Sequence, residues 1–184
     1  SFLDAIKIRE NHHEFKSFLH ILAKIYESHH QSSIINIIEK ILLYYKESIL
    51  NHLQNCEIFT IFKNDKRILL FLLNSKILNL DSFVINKFKN DKYSTFFFPE
   101  IKNYLQQDKK EEISKKIPYN FIEKRQMCEN DSYLCQLIRD DSISDFISYI
   151  ERTNLPLSSK IDESIFETNL FLIDQKPTLI EYAT

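Results

Sequence analysis

The sequence predicts an all-α protein, built as an array of short antiparallel helix pairs with no sizeable sheet. Its 184 residues include no glycine, the residue that tight β-hairpins use where φ is positive. Apolar residues instead recur at spacings of three and four, the period of one helix face. Predicted helices of about ten residues, separated by short turns, favour a degenerate helical solenoid over a bundle of long helices.

The missing glycine also excludes several classes of chemistry. P-loops, dinucleotide-binding turns, kinase glycine-rich loops, nucleophile elbows and EF-hands need glycine for positive φ or for backbone contact with a ligand. The formal net charge of −2 predicts no basic surface for nucleic acid. The longest strictly apolar run, residues 68–73, is too short to span a membrane. We therefore expect no nucleic-acid partner and no membrane span.

The first predicted helix follows a capping box at residues 11–14, in which Asn11 and Glu14 would each bind a backbone amide. Its apolar residues recur at helical spacing, and the pattern ends near Ser28. We therefore predict one amphipathic helix over this stretch. Its apolar face comprises Phe15, Phe18, Leu19, Leu22, Ile25 and Tyr26.

A second amphipathic helix, capped by Ser33, is predicted to extend to Leu53. Gln31 and Ser32 form the only spacer, so the two helices should make an antiparallel hairpin. Ile41 and Tyr45 occupy the centre of the second stripe, and we expect both in the core. The whole stripe comprises Ile34, Ile37, Ile38, Ile41, Leu42, Tyr45, Ile49 and Leu53.

Shorter helices follow. Asp65 is predicted to cap a helix through Leu73, and Asp81 to cap another. Pro99 is typical of the first position of a further helix. The apolar run 68–73 could instead form a buried strand. One more short helix is predicted before Asp65. The apolar residues expected on the core faces of these short helices are Ile58, Phe59, Ile61, Phe62, Phe83, Val84, Phe88, Ile101, Tyr104 and Leu105.

Mixed charge marks a candidate linker. Residues 108–116 contain a single apolar residue, Ile113, and Pro118 follows. Such a run is typical of a solvated helix end or exposed loop, and a partner-docking strip is the alternative. We therefore predict a helical region at 1–107, a charged linker or helix end at 108–118, and a second helical region at 119–184.

Two helices are predicted after residue 130, over about 132–139 and 142–150. Asn154 follows the second helix. Asn is the non-glycine residue that best tolerates the left-handed conformation at a helix C-terminus, so it should end this helix. The first of the two helices presents Leu134, Leu137 and Ile138.

These helices carry a motif. Residues 142–150 are similar to the second helix of an ankyrin repeat, G-x-x-E-I-V-x-x-L, with Asp145 at the Glu position. Cys135 aligns with the Leu of the preceding first helix, and the next such Leu, Leu179, lies 44 positions on. An ankyrin period is about 33 residues, so an insertion of about a dozen residues should lie near 158–175. The apolar positions of the motif are Phe146, Ile147 and Ile150.

Residues 177–184 resemble the start of a further repeat, T-P-L-H-x-A-A. Leu179 matches the Leu and Ala183 the second Ala. Ile180 replaces His, Tyr182 stands at the first Ala, and the order of Thr and Pro is inverted. The chain from Asn130 onwards thus resembles the segment leading into the repeats of the large ankyrin-repeat families of parasitic protists.

This resemblance implies the helical N-terminal region of an ankyrin-repeat protein, truncated at the start of its repeats. The implied fold is an ankyrin-like or degenerate solenoid, and the implied function is a non-enzymatic scaffold for an unidentified protein partner. A lone first helix lacks its neighbours, which should leave Leu179, Ile180 and Tyr182 partly exposed as candidate partner-binding residues. We expect a monomer, or a dimer caused by truncation. The chain begins at Ser1 rather than Met, which leaves an upstream targeting signal open.

A metal site is the alternative hypothesis. His52 and Cys56 are four residues apart and would both project onto the apolar stripe of the second helix. Zinc needs three or four ligands, so His12, His29 or His30 would have to contribute. The simpler interpretation is a hydrogen-bonded core histidine beside an inert thiol. An uncharacterised helical enzyme or metal-dependent regulator using His52 and Cys56 therefore stays the rival function, and we predict no cofactor.

The remaining residues predict no catalytic site. Cys128 and Cys135 lie seven apart, without a CxxC motif or a nearby His, and are interpreted as packing residues. Adjacent carboxylates such as Glu111 and Glu112 point apart on a helix and do not make an acid and base pair. The odd number of cysteines, three, is typical of a reducing compartment and predicts a cytoplasmic location.

Overall fold

The computed structural model describes residues 12–28 and 32–183. The described residues are mostly helical and form no strand or sheet, which confirms the all-α prediction. The helices are α1 (His12–Ser28), α2 (Ser32–Tyr44), α3 (Lys46–His52), α4 (Asn55–Phe62), α5 (Lys66–Asn74), α6 (Ser82–Phe88), α7 (Asp91–Ser94), α8 (Phe98–Ile101), α9 (Gln107–Ser114), α10 (Phe121–Met127), α11 (Tyr133–Arg139), α12 (Ile143–Thr153), α13 (Leu170–Gln175) and α14 (Leu179–Tyr182), with a 3-10 turn at Lys102–Tyr104.

The chain forms two compact units, the first ending at Lys116 and the second beginning at Ile117. This division falls inside the predicted segment 108–118. Most of that segment belongs to α9, whose Ile113 is buried. Charged residues of α9 pair on its surface, as Lys109 does with Glu112 at 3.2 Å.

In the first unit, α1 packs against α2 and α4. α1 is helical through Ser28, and because residues 29–31 lie outside the described residues, the predicted end near Ser28 stays a prediction. Asn11 and Gln31 lie outside the described residues, so the capping box and the hairpin spacer stay predictions. Aromatic rings fill the core around α4, α6 and α7, where Phe88 stacks on Phe97 with ring centres 3.9 Å apart.

The second predicted helix differs from the structure in length and in phase. It is interrupted at Tyr45, between α2 and α3, and Ser33 lies inside α2 rather than at its cap. Ile35 is buried, whereas the predicted core residue Ile37 is half-exposed. Ile41 is buried as predicted, but Tyr45 is only half-buried.

The predicted caps of α5 and α6 are confirmed. The Asp65 carboxylate accepts hydrogen bonds from the amides of Arg67 at 2.7 Å and Ile68 at 3.3 Å. Asp81 accepts one from the Val84 amide at 2.9 Å. Because these bonds satisfy amides that a helix start leaves unpaired, the two Asp residues set where the helices begin.

Two details of the central region correct the sequence predictions. The apolar run 68–73 lies within α5, so the buried-strand alternative is wrong. The helix at Pro99 ends at Ile101, which is buried, and continues only as the 3-10 turn. Because the chain becomes extended at Leu105, Tyr104 is half-exposed instead of joining the core.

Non-glycine residues occupy the left-handed positions of this chain. Asn154 follows α12 with φ 51°, as predicted. Left-handed backbone costs a residue with a Cβ about 1–2 kcal/mol, and Asn and Asp tolerate it best. The described residues with positive φ are Lys76, Cys128, Asp141, Asn154 and Lys176.

Candidate protein-binding surface

The second unit contains the helix pair predicted after residue 130. α11 begins after Ser132, whose hydroxyl accepts a hydrogen bond from the Cys135 amide at 3.3 Å. Asp141 then reverses the chain with φ 52°, and the Ser142 amide donates to the Leu137 carbonyl at 2.9 Å. This bond is typical of a Schellman turn at a helix end. The turn brings α12 back to pack against α11.

The apolar stripe of α12 is only partly covered. Ile143, Phe146, Ile147 and Ile150 follow the i, i+3, i+4, i+7 pattern of one helix face, yet α12 buries none of its residues. Phe146 and Ile150 are half-buried, whereas Ile143 and Ile147 are 61% and 49% exposed. We call these four residues the α12 face.

Acidic residues are frequent in α12 and just before it. Asp140, Asp141, Asp145 and Glu151 are all exposed, and the sequence between Arg139 and Arg152 contains no basic residue. Within the described ranges, none of these four carboxylates joins an ion pair. At 3.6 residues per turn, Glu151 lies one turn beyond Ile147 on the same side of the helix, whereas Asp145 lies on the opposite side.

α14 is anchored within the second unit, contrary to the prediction for a lone helix. Thr178 and Glu181 form a capping box, and the Leu179 amide donates to the Ser159 carbonyl at 3.0 Å. Leu179 is only 2% exposed, so its predicted exposure is wrong. The predicted insertion supplies its cover, because Ser159 belongs to it.

The other two candidate residues of α14 differ from each other. Ile180 is 54% exposed, as predicted. Tyr182 is half-buried, and its hydroxyl accepts a hydrogen bond from Arg139 Nη1 at 2.8 Å. This bond joins α14 to α11, against which it packs. Ile180 therefore stays a candidate partner-binding residue, whereas Tyr182 already has a partner within the chain.

Buried polar groups hold the predicted insertion, residues 158–175, against the turn before α11. Glu167 accepts a hydrogen bond from the Asn130 amide at 3.1 Å, and the Thr168 hydroxyl donates to the Cys128 carbonyl at 3.0 Å. Burial raises the pKa of the Glu167 carboxyl. Sequence reasoning missed this network, since isolated polar residues in a loop carry no periodic signal.

A polar cleft of about 410 Å³ lies beside α10 and α11. Its two cations are already paired. Lys124 Nζ lies 2.7 Å from Asp131, and Arg139 Nε lies 2.9 Å from Glu129. These ion pairs occupy the two cations that could otherwise hold an anionic ligand, whereas the carboxylate of Asp140, which also lines the cleft, joins no ion pair within the described ranges.

His52 and Cys56 do not share a helix face. α3 ends at His52, Leu53 is extended, and Cys56 lies in the first turn of α4. The predicted geometry is therefore wrong. His52 Nδ1 lies 2.8 Å from the Ser48 carbonyl oxygen. Within residues 12–28 and 32–183, no three His, Cys, Asp or Glu residues cluster closely enough to hold a metal ion, and His29 and His30 lie outside those ranges.

The cysteines of the second unit are in the interior. Cys128 and Cys135 are buried, as expected of packing residues. Burial raises the pKa of the Cys135 thiol, and the thiolate is the reactive form of cysteine. This environment therefore disfavours a nucleophilic role for Cys135.

Charge divides unequally between the two units, which the total of −2 conceals. Residues 117–184 carry 12 acidic and 6 basic side chains, a formal charge of −6, and residues 1–116 carry 14 acidic and 18 basic ones, a formal charge of +4. The charged residues can be counted from the sequence, but they can be assigned to two units only once the boundary at Lys116 is known. The exposed carboxylates in and before α12 belong to the negative unit.

No helix in the described parts of the chain is long and apolar enough to cross a lipid bilayer. Exposed apolar side chains of the second unit include those of Ile143, Ile147 and Ile180. Comparison with protein-family models, with curated proteins and with solved structures finds no match to this chain.

Proposed function

We propose that this chain is a non-enzymatic protein–protein interaction scaffold, the helical N-terminal module of an ankyrin-repeat protein. The observation that carries the proposal is the packing of α11 against both α12 and α14. The order of elements supports it: a capped helix, a tight turn, a second helix ended by a left-handed Asn, and another capped helix. An ankyrin repeat and the start of its successor have this order.

The mechanism that we propose is binding through exposed side chains on a rigid helical support. Stacked helix pairs bury their shared faces and leave other faces for partners. The α12 face and Ile180 are such exposed apolar groups. The paired charges of the cleft and the buried thiols of Cys128 and Cys135 favour this role over catalysis. Three cysteines without a disulfide support a reducing compartment, the cytoplasm.

A chimera tests the ankyrin-like architecture. Residues 133–154 are replaced by the helix pair of a consensus ankyrin repeat in which Arg139 is retained, leaving Asn130, Ser132 and α14 unchanged. We expect the chimera to keep the melting temperature within a few degrees and to retain slow hydrogen exchange at the Leu179 amide. A helical hairpin of the same length from a coiled coil is the control, and it should expose Leu179. Equal loss of protection in both chimeras would contradict an ankyrin-like unit.

Affinity capture with the full chain tests the scaffold role. We expect a partner in stoichiometric amount, and binding that survives a metal chelator. Elemental analysis of the purified chain, with His52→Ala as control, is the companion measurement. One metal ion per chain, lost in His52→Ala, together with the absence of any stoichiometric partner would favour the metal-dependent regulator.

A further inference from the structure

The residues between α9 and α10 combine two adjacent lysines with high exposure. Lys115, Lys116 and Tyr119 are all exposed. The exposed fraction of Tyr119 is 108%, so its side chain extends into solvent without packing on its neighbours. We call residues 115–120 the α9–α10 connection.

The backbone of the α9–α10 connection is weakly held. Within the described ranges, the amides of Ile117, Tyr119 and Asn120 donate no hydrogen bond to another backbone group. The preceding helix α9 has 8 residues and buries only Ile113. Exposed amides and few buried apolar side chains are typical of a segment that opens locally at low free-energy cost. The connection and the last turn of α9 can therefore become extended without unfolding the rest of the chain.

Lys116 is accessible and stands at the division of the chain. It ends the first compact unit, and Ile117 begins the second. Its side chain is 57% exposed and pairs with Glu112 at 2.7 Å, a surface ion pair that contributes about 0–1 kcal/mol. Exposed connections where one compact unit ends are preferred sites of proteolytic cleavage. A cut of the Lys116–Ile117 bond would leave the interior of each unit continuous.

Two other exposed lysines outside the described α-helices lie on a held backbone. Lys76 is followed by Ile77, which is buried and whose amide is hydrogen-bonded. Lys160 forms an isolated antiparallel bridge with Thr178. A protease must draw the chain out of such contacts before it can cut, and the cutting rate then follows the small population of the opened form. These two positions should therefore be cut slowly.

The remaining exposed lysines outside the described α-helices are disfavoured for other reasons. The Lys63 carbonyl accepts a hydrogen bond from the Tyr93 hydroxyl at 2.5 Å. Lys102 belongs to a 3-10 turn, whereas proteases bind an extended substrate. Lys176 precedes Pro177, and trypsin-like proteases hydrolyse a bond before Pro poorly. Lys115 and Lys116 thus combine a basic side chain, exposure and a weakly held backbone.

We propose that the α9–α10 connection is a cleavage site for an endoprotease of trypsin-like specificity, which recognises a basic residue before the bond that it cuts. One water is added across the Lys116–Ile117 peptide bond as its C–N bond breaks. The carbonyl carbon keeps the water oxygen and becomes the Lys116 carboxylate, and the nitrogen takes a proton and becomes the Ile117 α-amine. The cut separates a segment of formal charge +4 from one of −6, and the α12 face stays with the acidic segment. This role is independent of the scaffold function.

Limited proteolysis of the full chain tests the site, with the products identified by intact mass. Trypsin at low concentration should make its first cut within residues 12–28 and 32–183 after Lys116, giving a product that begins at Ile117. Chymotrypsin, which cuts after large aromatic residues, should make its first cut in those ranges after Tyr119, although the chain contains 9 Tyr and 15 Phe. Convergence of two different specificities on one short segment would show that the accessible backbone selects it.

Variants separate the basic side chains from the accessibility of the backbone. Lys115→Gln with Lys116→Gln should slow tryptic cutting at the connection by about a hundredfold or more, because the protease loses the charge that it binds. The chymotryptic cut after Tyr119 should keep its rate in this variant. Lys102→Gln, which removes an exposed basic side chain from the 3-10 turn, is the matched control and should leave both rates unchanged. Circular dichroism of each variant should match the parent, because the replaced side chains are exposed.

Three results would overturn the assignment. One is a first tryptic cut after Lys102 or inside an α-helix, because another segment would then be the most accessible one. Another is an equal tryptic rate at the connection in the parent and in the Lys115→Gln, Lys116→Gln variant. The third is a full chain that resists both proteases at residues 115–120, because the connection would then be held closed. Stoichiometric capture of a partner by the uncut chain would support the scaffold role whichever of these results is found.

Discussion

Arg139 donates a hydrogen bond to the Tyr182 hydroxyl at 2.8 Å, across 43 positions of the chain. The same guanidinium pairs through Nε with Glu129 at 2.9 Å. Burial raises the pKa of Tyr182 to about 12, so its hydroxyl stays protonated at neutral pH. The bond fixes α14 to α11. Tyr182, which stands at the first Ala position of the ankyrin motif, therefore has a structural role.

Tyr182→Phe should therefore lower the free energy of unfolding by about 1–2 kcal/mol, because it leaves part of the Arg139 guanidinium without its acceptor. Tyr104→Phe is the control, since Tyr104 is half-exposed, and it should stay within about 0.5 kcal/mol. Urea denaturation measures both. Equal effects would show that the bond does not hold α14 in solution.

The contrast between two adjacent residues of α14 gives a second prediction. Leu179→Ala should cost about 2–5 kcal/mol, because a buried Leu loses its packing and leaves a cavity. Ile180→Ala, on an exposed side chain, should cost no more than about 0.5 kcal/mol. Thermal unfolding with chemical denaturation checks the pair. A small effect at Leu179 would restore the predicted exposure of this helix.

The sequence was informative where a local rule decides the structure. Caps at Asp65 and Asp81 were predictable because a carboxylate before an apolar run satisfies amides of the first turn. Asn154 was predictable because few other residues accept positive φ. These are interactions between near neighbours in the chain.

The buried side of α2 could not be predicted from such a local rule. Ile34, Ile35, Ile37 and Ile38 give this helix apolar side chains on most of its circumference, so periodicity alone cannot choose the buried side. Contact with α1 makes that choice. The burial of Leu179 was missed for a similar reason. The Leu179 amide donates to the carbonyl of Ser159, which lies in a loop 20 positions earlier in the chain.

Asp65 gives a third prediction, on pH dependence. Burial raises the pKa of this carboxyl to about 6 from its ordinary 3.8, although two backbone amides act in the opposite direction. The unfolded chain loses this proton near pH 4, whereas the folded chain keeps it until about pH 6. The stability that the protonated Asp65 carboxyl contributes is therefore complete below about pH 4 and is lost as the pH rises through about 6. Asn makes the same cap without ionising.

Asp65→Asn should therefore match the parent near pH 4 and exceed it by roughly 2–3 kcal/mol near pH 7. Guanidinium titrations across this range measure the difference. Asp81→Asn is the control for the exchange of one N-cap residue for another, because Asp81 caps α6 from an exposed position. An Asp65→Asn variant less stable than the parent at neutral pH would show that the ionised cap is favourable.

Lys76 gives a fourth prediction. It occupies a left-handed position after α5 with φ 57°, where its amide donates to the Leu73 carbonyl at 3.0 Å. Lys76→Gly should stabilise the protein by about 0.5–1 kcal/mol. Glycine removes the steric cost of the left-handed backbone in the folded state, and this gain is partly offset by the larger conformational entropy of glycine in the unfolded state. Lys40→Gly, inside α2, should instead destabilise it by about 1 kcal/mol. Destabilisation at both sites would mean that Lys76 is not left-handed in solution.

Hydrogen exchange on the complex of the full chain with its captured partner tests most directly whether the α12 face is a protein-binding surface. We predict that amides of α12 exchange more slowly in the complex, with the largest change around Ile147. Amides of α5, which lie in the other unit, should be unchanged. A stable complex in which α12 exchanges as it does in the free chain would contradict the α12 face as the binding surface.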